Sequence, residues 1–273
     1  MKNRIVSLTS CVCIALCGAA SAAETIEIPA TRAFDMNQGN PDNGSRMLAG
    51  GWPDNAGWGL MRGAMVFDLS KVPQGAAGIA SASVSIFTRK TGFSVTNPEG
   101  DPGDMAIKDL GNLESQADFD AEGFTWNDLD PPGGNVSGPV LSTYDRADYS
   151  REWPHNTEVP FPTSEAFAGA VARALGDGQQ FLYLVVYCPD FEANPQNGKH
   201  FYRLGGDDGL PVLRVTALGA DTDKDGLEDE WENAFFPGDL TKLSSNGDAD
   251  GDGLNDKGEF LAGSEPTNSD SDA

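Results

Sequence analysis

Between positions 24 and 218 the chain is a series of short apolar or alternating stretches broken by Gly, Pro, Asn and Asp. Residues 25–29 alternate, while 63–69, 80–88, 181–187, 199–203 and 211–216 are brief and rich in β-branched or aromatic side chains. Such runs predict strands, because successive side chains point to opposite faces of a pleated surface that branched residues fit well. Helical spacing governs one segment, about 164–175, where Thr163 or Ser164 can cap the start and Gly176 or Gly178 can end it. Many short strands with one short helix predict a mainly β domain, a jelly-roll-like β-sandwich. The stretches 93–120 and 127–162 read as loop-rich insertions, where a sandwich would carry a binding surface.

Ahead of this pattern stand Lys2, Arg4, an apolar run over 5–17 and small residues up to Ala23. That is the order of a secretory signal peptide, so 1–23 is expected to be removed near Ala22 or Ala23 and the protein secreted, displayed at the cell surface or held in a periplasm. No later stretch approaches the roughly 18–20 continuous apolar residues of a spanning helix, so no membrane span is expected. Cys11, Cys13 and Cys17 fall within the leader, leaving Cys188 alone and no intramolecular disulfide in the mature chain. Cys188 follows the apolar run 181–187 and is expected to be a buried, inert thiol.

Charge changes the picture at the C-terminal end. The chain carries a formal net charge of −24, and from Asp221 onward sixteen acidic residues face three basic ones. A nucleic-acid ligand would need a basic face, so the imbalance excludes that class and points to a metal. The segments 221–232 and 248–259 both read D-x-D-x-D-G-L-x-D-x-x-E. Alternate carboxylates on a tight loop can converge on a hard cation that takes about six to eight oxygens, and a glycine at the sixth place permits the sharp turn. The expected ligands of about two calcium ions are Asp221, Asp223, Asp225, the Leu227 carbonyl, Asp229 and Glu232, then Asp248, Asp250, Asp252, the Leu254 carbonyl, Asp256 and Glu259. Gly219 and Ala220 are the expected hinge into this tail, 219–273. Its apolar residues Trp231, Phe235, Phe236, Leu240, Leu243, Leu254, Phe260 and Leu261 form too small a core to fold unaided, so the ion-free tail is expected to be largely unfolded.

These two loops, with the closing phrase Leu261-Ala-Gly-Ser-Glu-Pro-Thr-Asn-Ser-Asp-Ser-Asp272, resemble thrombospondin type 3 repeats, which implies rigid calcium-stapled modules. The eighth places, Glu228 and Asn255, depart from the aliphatic residue that pairs two EF-hand loops. Asp270 and Asp272 match the start of a further loop, as spare ligands or with no role. The larger domain resembles the DNRLRE-type exported jelly-roll modules through Arg62-Gly-Ala-Met-Val-Phe67-Asp68-Leu69-Ser70-Lys-Val-Pro73-Gln-Gly75, Ile79 to Val84, Gly123-Phe-Thr125-Trp126-Asn127 and Pro211-Val-Leu-Arg-Val215. Some members of that family bind carbohydrate. The family's closing segment is replaced here by Tyr202-Arg203-Leu-Gly-Gly-Asp-Asp208.

Catalytic constellations are sparse. The two histidines, His155 and His200, form no H-E-x-x-H pair, and there is no G-x-S-x-G elbow or phosphate-cradling loop. Asp118, Asp120, Glu122, Asp128 and Asp130 near Trp126 supply carboxylates that a glycosidase could pair, but any acid-rich chain would contain such a group. Trp52 and Trp58, in a polar glycine-rich stretch, are the candidate sugar-stacking residues, and tucking under the sandwich edge fits them equally. An acidic domain should repel acidic polysaccharides, so neutral glycan or other cell-surface material is the expected partner. The expected protein is an exported, non-catalytic calcium binder with a carbohydrate-binding sandwich. The alternatives are a glycan-active enzyme, whether hydrolase or lyase, and a purely structural surface protein.

Overall fold

In the computed structural model, which describes residues 24–38, 46–54, 59–95, 102–110, 139–149, 154–206 and 209–269, the run Phe181–Tyr187 is a strand buried on both faces. Leu182, Leu184 and Val186 enter the main core, while Tyr183 and Val185 join a second cluster with Phe34, Met36, Ala64 and Val66. Double burial is why this strand shows no polar alternation. The strands in chain order are β1 Glu24–Pro29, β2 Arg32–Asn37, β3 Arg46–Trp52, β4 Gly59–Asp68, β5 Ile79–Val95, β6 Met105–Asp109, β7 Val140–Tyr144, β8 Glu158–Pro160, β9 Phe181–Tyr187, β10 His200–Gly206 and β11 Val212–Ala217.

All pairings are antiparallel, in the order β1-β11-β5-β10-β3-β4-β9-β6-β7, with β2 beside β4 and β8 beside β5. The fold is mainly β and consistent with a β-sandwich. The long β5 links its halves: residues 79–87 pair with β11 and β8, and 88–95 pair with β10. One core receives Ile28, Val84, Leu213 and Val215 from one half and Met65, Phe67, Leu184 and Tyr202 from the other.

Strand β11 alternates as amphipathic strands do, with Leu213, Val215 and Ala217 inward. On its outer side Arg214 donates to Glu27 and Glu158, each at 2.9 Å, and to the Ser85 hydroxyl at 2.6 Å. Hydrogen bonding from Ser85 holds the Glu158 carboxyl below the usual carboxylate range. Helix α1, Glu165–Gly176, starts where Ser164 accepts the Phe167 N–H at 3.0 Å and buries Phe167, Ala170, Val171 and Ala174.

Several expectations change. Strands β6, β7 and β8 lie in stretches expected to be loop, because each is only three to five residues long and its pairing partners are distant in sequence. Strands β2 and β3 are further additions to the expected set, since their polar and glycine residues mask the pattern. A second helix in this domain, α2 Pro189–Ala193, follows β9.

Two compact units result, one from Ala23 to Lys224 and one holding Asp225–Ala273. The latter contains α3, Asp229–Phe235, and α4, Asp256–Ala262. Its core is Leu227, Trp231 and Leu243, against which Phe235, Phe236 and Phe260 pack. The Trp231 ring meets Phe235 and Phe260 edge-on, each at 5.3 Å. Leu261, expected in this core, is 70% exposed, because it lies about 100° round a short helix from Phe260, off the face that packs. Among the described residues, no helix is long and apolar enough to cross a membrane. The expected leader, 1–23, lies outside the described residues.

Candidate metal centre

The first acidic loop leaves β11 where Ala220 bridges Ala76 and the Asp221 N–H donates to the Gly75 carbonyl at 2.9 Å. Carboxylate oxygens of Asp221, Asp223 and Asp225 lie within 4.8 Å of one another, and those of Asp248, Asp250 and Asp252 do the same in the second loop. Like charges held so close repel by about 1–3 kcal/mol per pair for an effective dielectric between that of water and about 20, a cost that a cation removes. Each triplet could hold a metal ion.

Local hydrogen bonds set both loops in the same form. The first-place aspartate accepts the N–H of the fourth residue, Asp221 from Lys224 at 2.6 Å and Asp248 from Gly251 at 2.8 Å. The fifth-place aspartate accepts from the seventh, Asp225 from Leu227 at 2.9 Å and Asp252 from Leu254 at 2.8 Å. Positive φ falls at the fourth place, 65° at Lys224 and 78° at Gly251, and at the sixth, 95° at Gly226 and 105° at Gly253. Only glycine takes the sixth-place angle without strain, which is the physical reason for the D-G pair in both segments. Two loops 27 positions apart thus share one backbone signature.

Both helices begin at the ninth place of their loop, which puts Glu232 and Glu259, the twelfth-place residues, one turn in. Both side chains are fully buried, an uncommon setting for a carboxylate. The eighth places are helix N-cap positions: the Asn255 side chain accepts the Gly258 N–H at 2.7 Å, whereas the buried Glu228 side chain makes no such capping bond. The polarity of Asn255 therefore has a local cause. Among the described residues, the isolated bridge outside the strands joins Ala76 to Ala220 and not one loop to the other. The arrangement is a repeated loop-helix.

The ninth places differ. Asp229 is half-buried at the start of α3. Asp256 is 1% exposed, and its two oxygens accept the backbone N–H groups of Ser244 and Ala249, each at 2.9 Å. It ties the start of the second loop to α4. At the seventh places the Leu227 side chain is wholly buried in the small core and Leu254 is half-buried.

The other candidates are less concentrated. Trp52 ends β3 half-buried against Leu48, Met61 and Phe201, with the Lys199 Nζ 4.4 Å from its ring centre. Trp58, Trp126, Trp153 and the acids Asp118, Asp120, Glu122, Asp128 and Asp130 lie outside the described residues, as do Asp270 and Asp272. His200 is buried, stacked on Phe191 with ring centres 5.5 Å apart, and its Nε2 lies 2.7 Å from the Asn197 carbonyl. This is a structural environment. Cys188 is buried and forms no disulfide among the described residues.

The sandwich also holds a buried ion pair. Arg62 and Glu192 form a two-pronged ion pair at 2.8 and 2.6 Å, with side-chain exposures of 3% and 10%. The partners are 130 residues apart, so no local pattern signals them. The chain matches no protein-family model and no curated protein sequence.

Proposed function

We propose that both acidic loops bind calcium and that the protein is an exported, non-catalytic module whose tail is stapled by two ions. The observation that carries this reading is the repetition, in two separate loops, of the same carboxylate triplet, the same pair of Asx-type hydrogen bonds and the same two left-handed backbone positions. Calcium suits the site better than magnesium: an all-protein loop with several carboxylates and a carbonyl matches a flexible shell of six to eight oxygens, whereas magnesium keeps its waters and a strict octahedron. Glu232 and Glu259 complete the shells from α3 and α4, and Asp256 holds the second loop in shape. The likeness to thrombospondin type 3 repeats fits a staple that stays loaded outside the cell.

Calorimetric titration of the chelated full chain tests this. Calcium heat from about two sites is expected, with one lost in Asp225→Ala and the other in Asp252→Ala. Absence of calcium heat would refute the reading.

For the β-sandwich, the proposal is contact with neutral glycan or other extracellular material, in line with its likeness to DNRLRE-type modules. Trp52, partly exposed at the end of β3 beside Lys199, is the group offered for stacking. Retention on a glycan array that Trp52→Ala abolishes supports this, product formation from a polysaccharide favours a glycan-active enzyme, and silence on both counts favours a structural role.

A further inference from the structure

The second repeat grips the backbone of the first loop. The Ser245 hydroxyl donates to the Asp225 carbonyl, and the Lys257 ammonium donates to the Gly226 carbonyl. These are the fifth- and sixth-place carbonyls, neither of which is among the oxygens such a loop gives to its ion. The seat is built for the contact: a Cβ on Gly226 would lie 2.7 Å from the Ser245 oxygen. Lys257 is also fixed over the Phe260 ring, 4.6 Å from its centre, on the helix that begins inside the second acidic loop.

We infer that Ser245 and Lys257 are positioning residues for the first metal loop, so that its affinity depends on the folding of the second repeat around its own ion. The inference rests on the calcium reading above. By holding two peptide carbonyls outward, these side chains fix the peptide planes on either side of Gly226, and with them the Asp225 carboxylate and the Leu227 carbonyl that face the ion. Loading of the second loop orders α4 and the segment before it, and so presents Lys257 and Ser245 to the first loop. The coupling therefore runs from the second site to the first and, by linkage, back again.

The sign of one variant is diagnostic. Lys257 brings a positive charge close to a cation site, so electrostatics alone predicts that Lys257→Met tightens calcium binding. Positioning predicts the opposite: a loss of roughly tenfold at the first loop, the size of one charge-assisted hydrogen bond. The experiment is a calcium titration by calorimetry on the full chain, with Lys257→Met and the neutral change Ser245→Ala tested separately and again with the first loop disabled by Asp225→Ala. Both variants should weaken one of two sites and leave the remaining site of the Asp225→Ala protein unaltered. Parent-like or tighter binding in both variants overturns the inference, as does equal weakening in the Asp225→Ala background, which would mark a general loss of the second repeat. No calcium heat in the parent chain would instead defeat the calcium reading itself.

Discussion

Removing calcium should unfold the acidic tail while leaving the β-sandwich intact. The tail core has three buried apolar side chains, Leu227, Trp231 and Leu243, with three phenylalanines partly covering them. Against this stand two carboxylate triplets, the oxygens of each within 4.8 Å of one another. Free calcium at a hundred times the dissociation constant stabilises the folded form by about 2.7 kcal/mol per independent site. Chelation removes that contribution at both loops and leaves an ion-free tail that carries repulsion of about 1–3 kcal/mol for each close carboxylate pair. Domains this small rarely hold more than about 3–5 kcal/mol from their core, which the summed repulsion within two ion-free triplets is enough to exhaust. Limited proteolysis in chelator should cleave within 225–269 and spare the sandwich, and readdition of calcium should restore protection. Equal resistance of the tail with and without calcium would refute the reasoning.

Three other outcomes follow from particular contacts. Asp256→Ala removes the acceptor of two buried backbone N–H groups, which should destabilise the second repeat by about 3 kcal/mol and reduce its calcium affinity in titration, with Asp256→Asn less severe. Arg62→Met strands Glu192 in a buried site and should cost the sandwich about 3–5 kcal/mol in calcium-saturated thermal melts, whereas replacing both partners by apolar residues should recover much of it. Glu158 has a folded pKa below its unfolded value, so it contributes stability that is present above the unfolded pKa and lost as pH falls through the folded one. Ser85→Ala, which removes the first cause of that shift, should raise the Glu158 pKa when followed by NMR.

Local chemistry was readable in the chain, and long-range pairing was not. Phe181–Tyr187 announces itself by continuous branched and aromatic residues, and α1 by Ser164 and its helical spacing, because each signal lies within a dozen positions. The form of the acidic loops was readable for the same reason: their aspartate spacing and turn glycines are all internal to the segment. By contrast, β2 is a strand because Arg32 through Asn37 pair with residues about thirty positions later, on a sequence that includes buried Asp35 and Asn37. Arg62 looks like a surface residue until Glu192 arrives 130 positions on. Asp256 fits a ligand pattern, yet the structure puts Ser244 and Ala249 on its oxygens, and Lys257 looks solvent-facing until Gly226 is placed beside it. Leu261 shows the converse error, since hydrophobicity alone cannot say which side of a two-turn helix meets the core.

The most direct test of the calcium staple is a count of bound ions. Equilibrium dialysis of the full chain against radioactive calcium should give two ions per protein, one in either Asp225→Ala or Asp252→Ala and none in the double variant. An ion-free parent chain, or a double variant that still holds two, would contradict it.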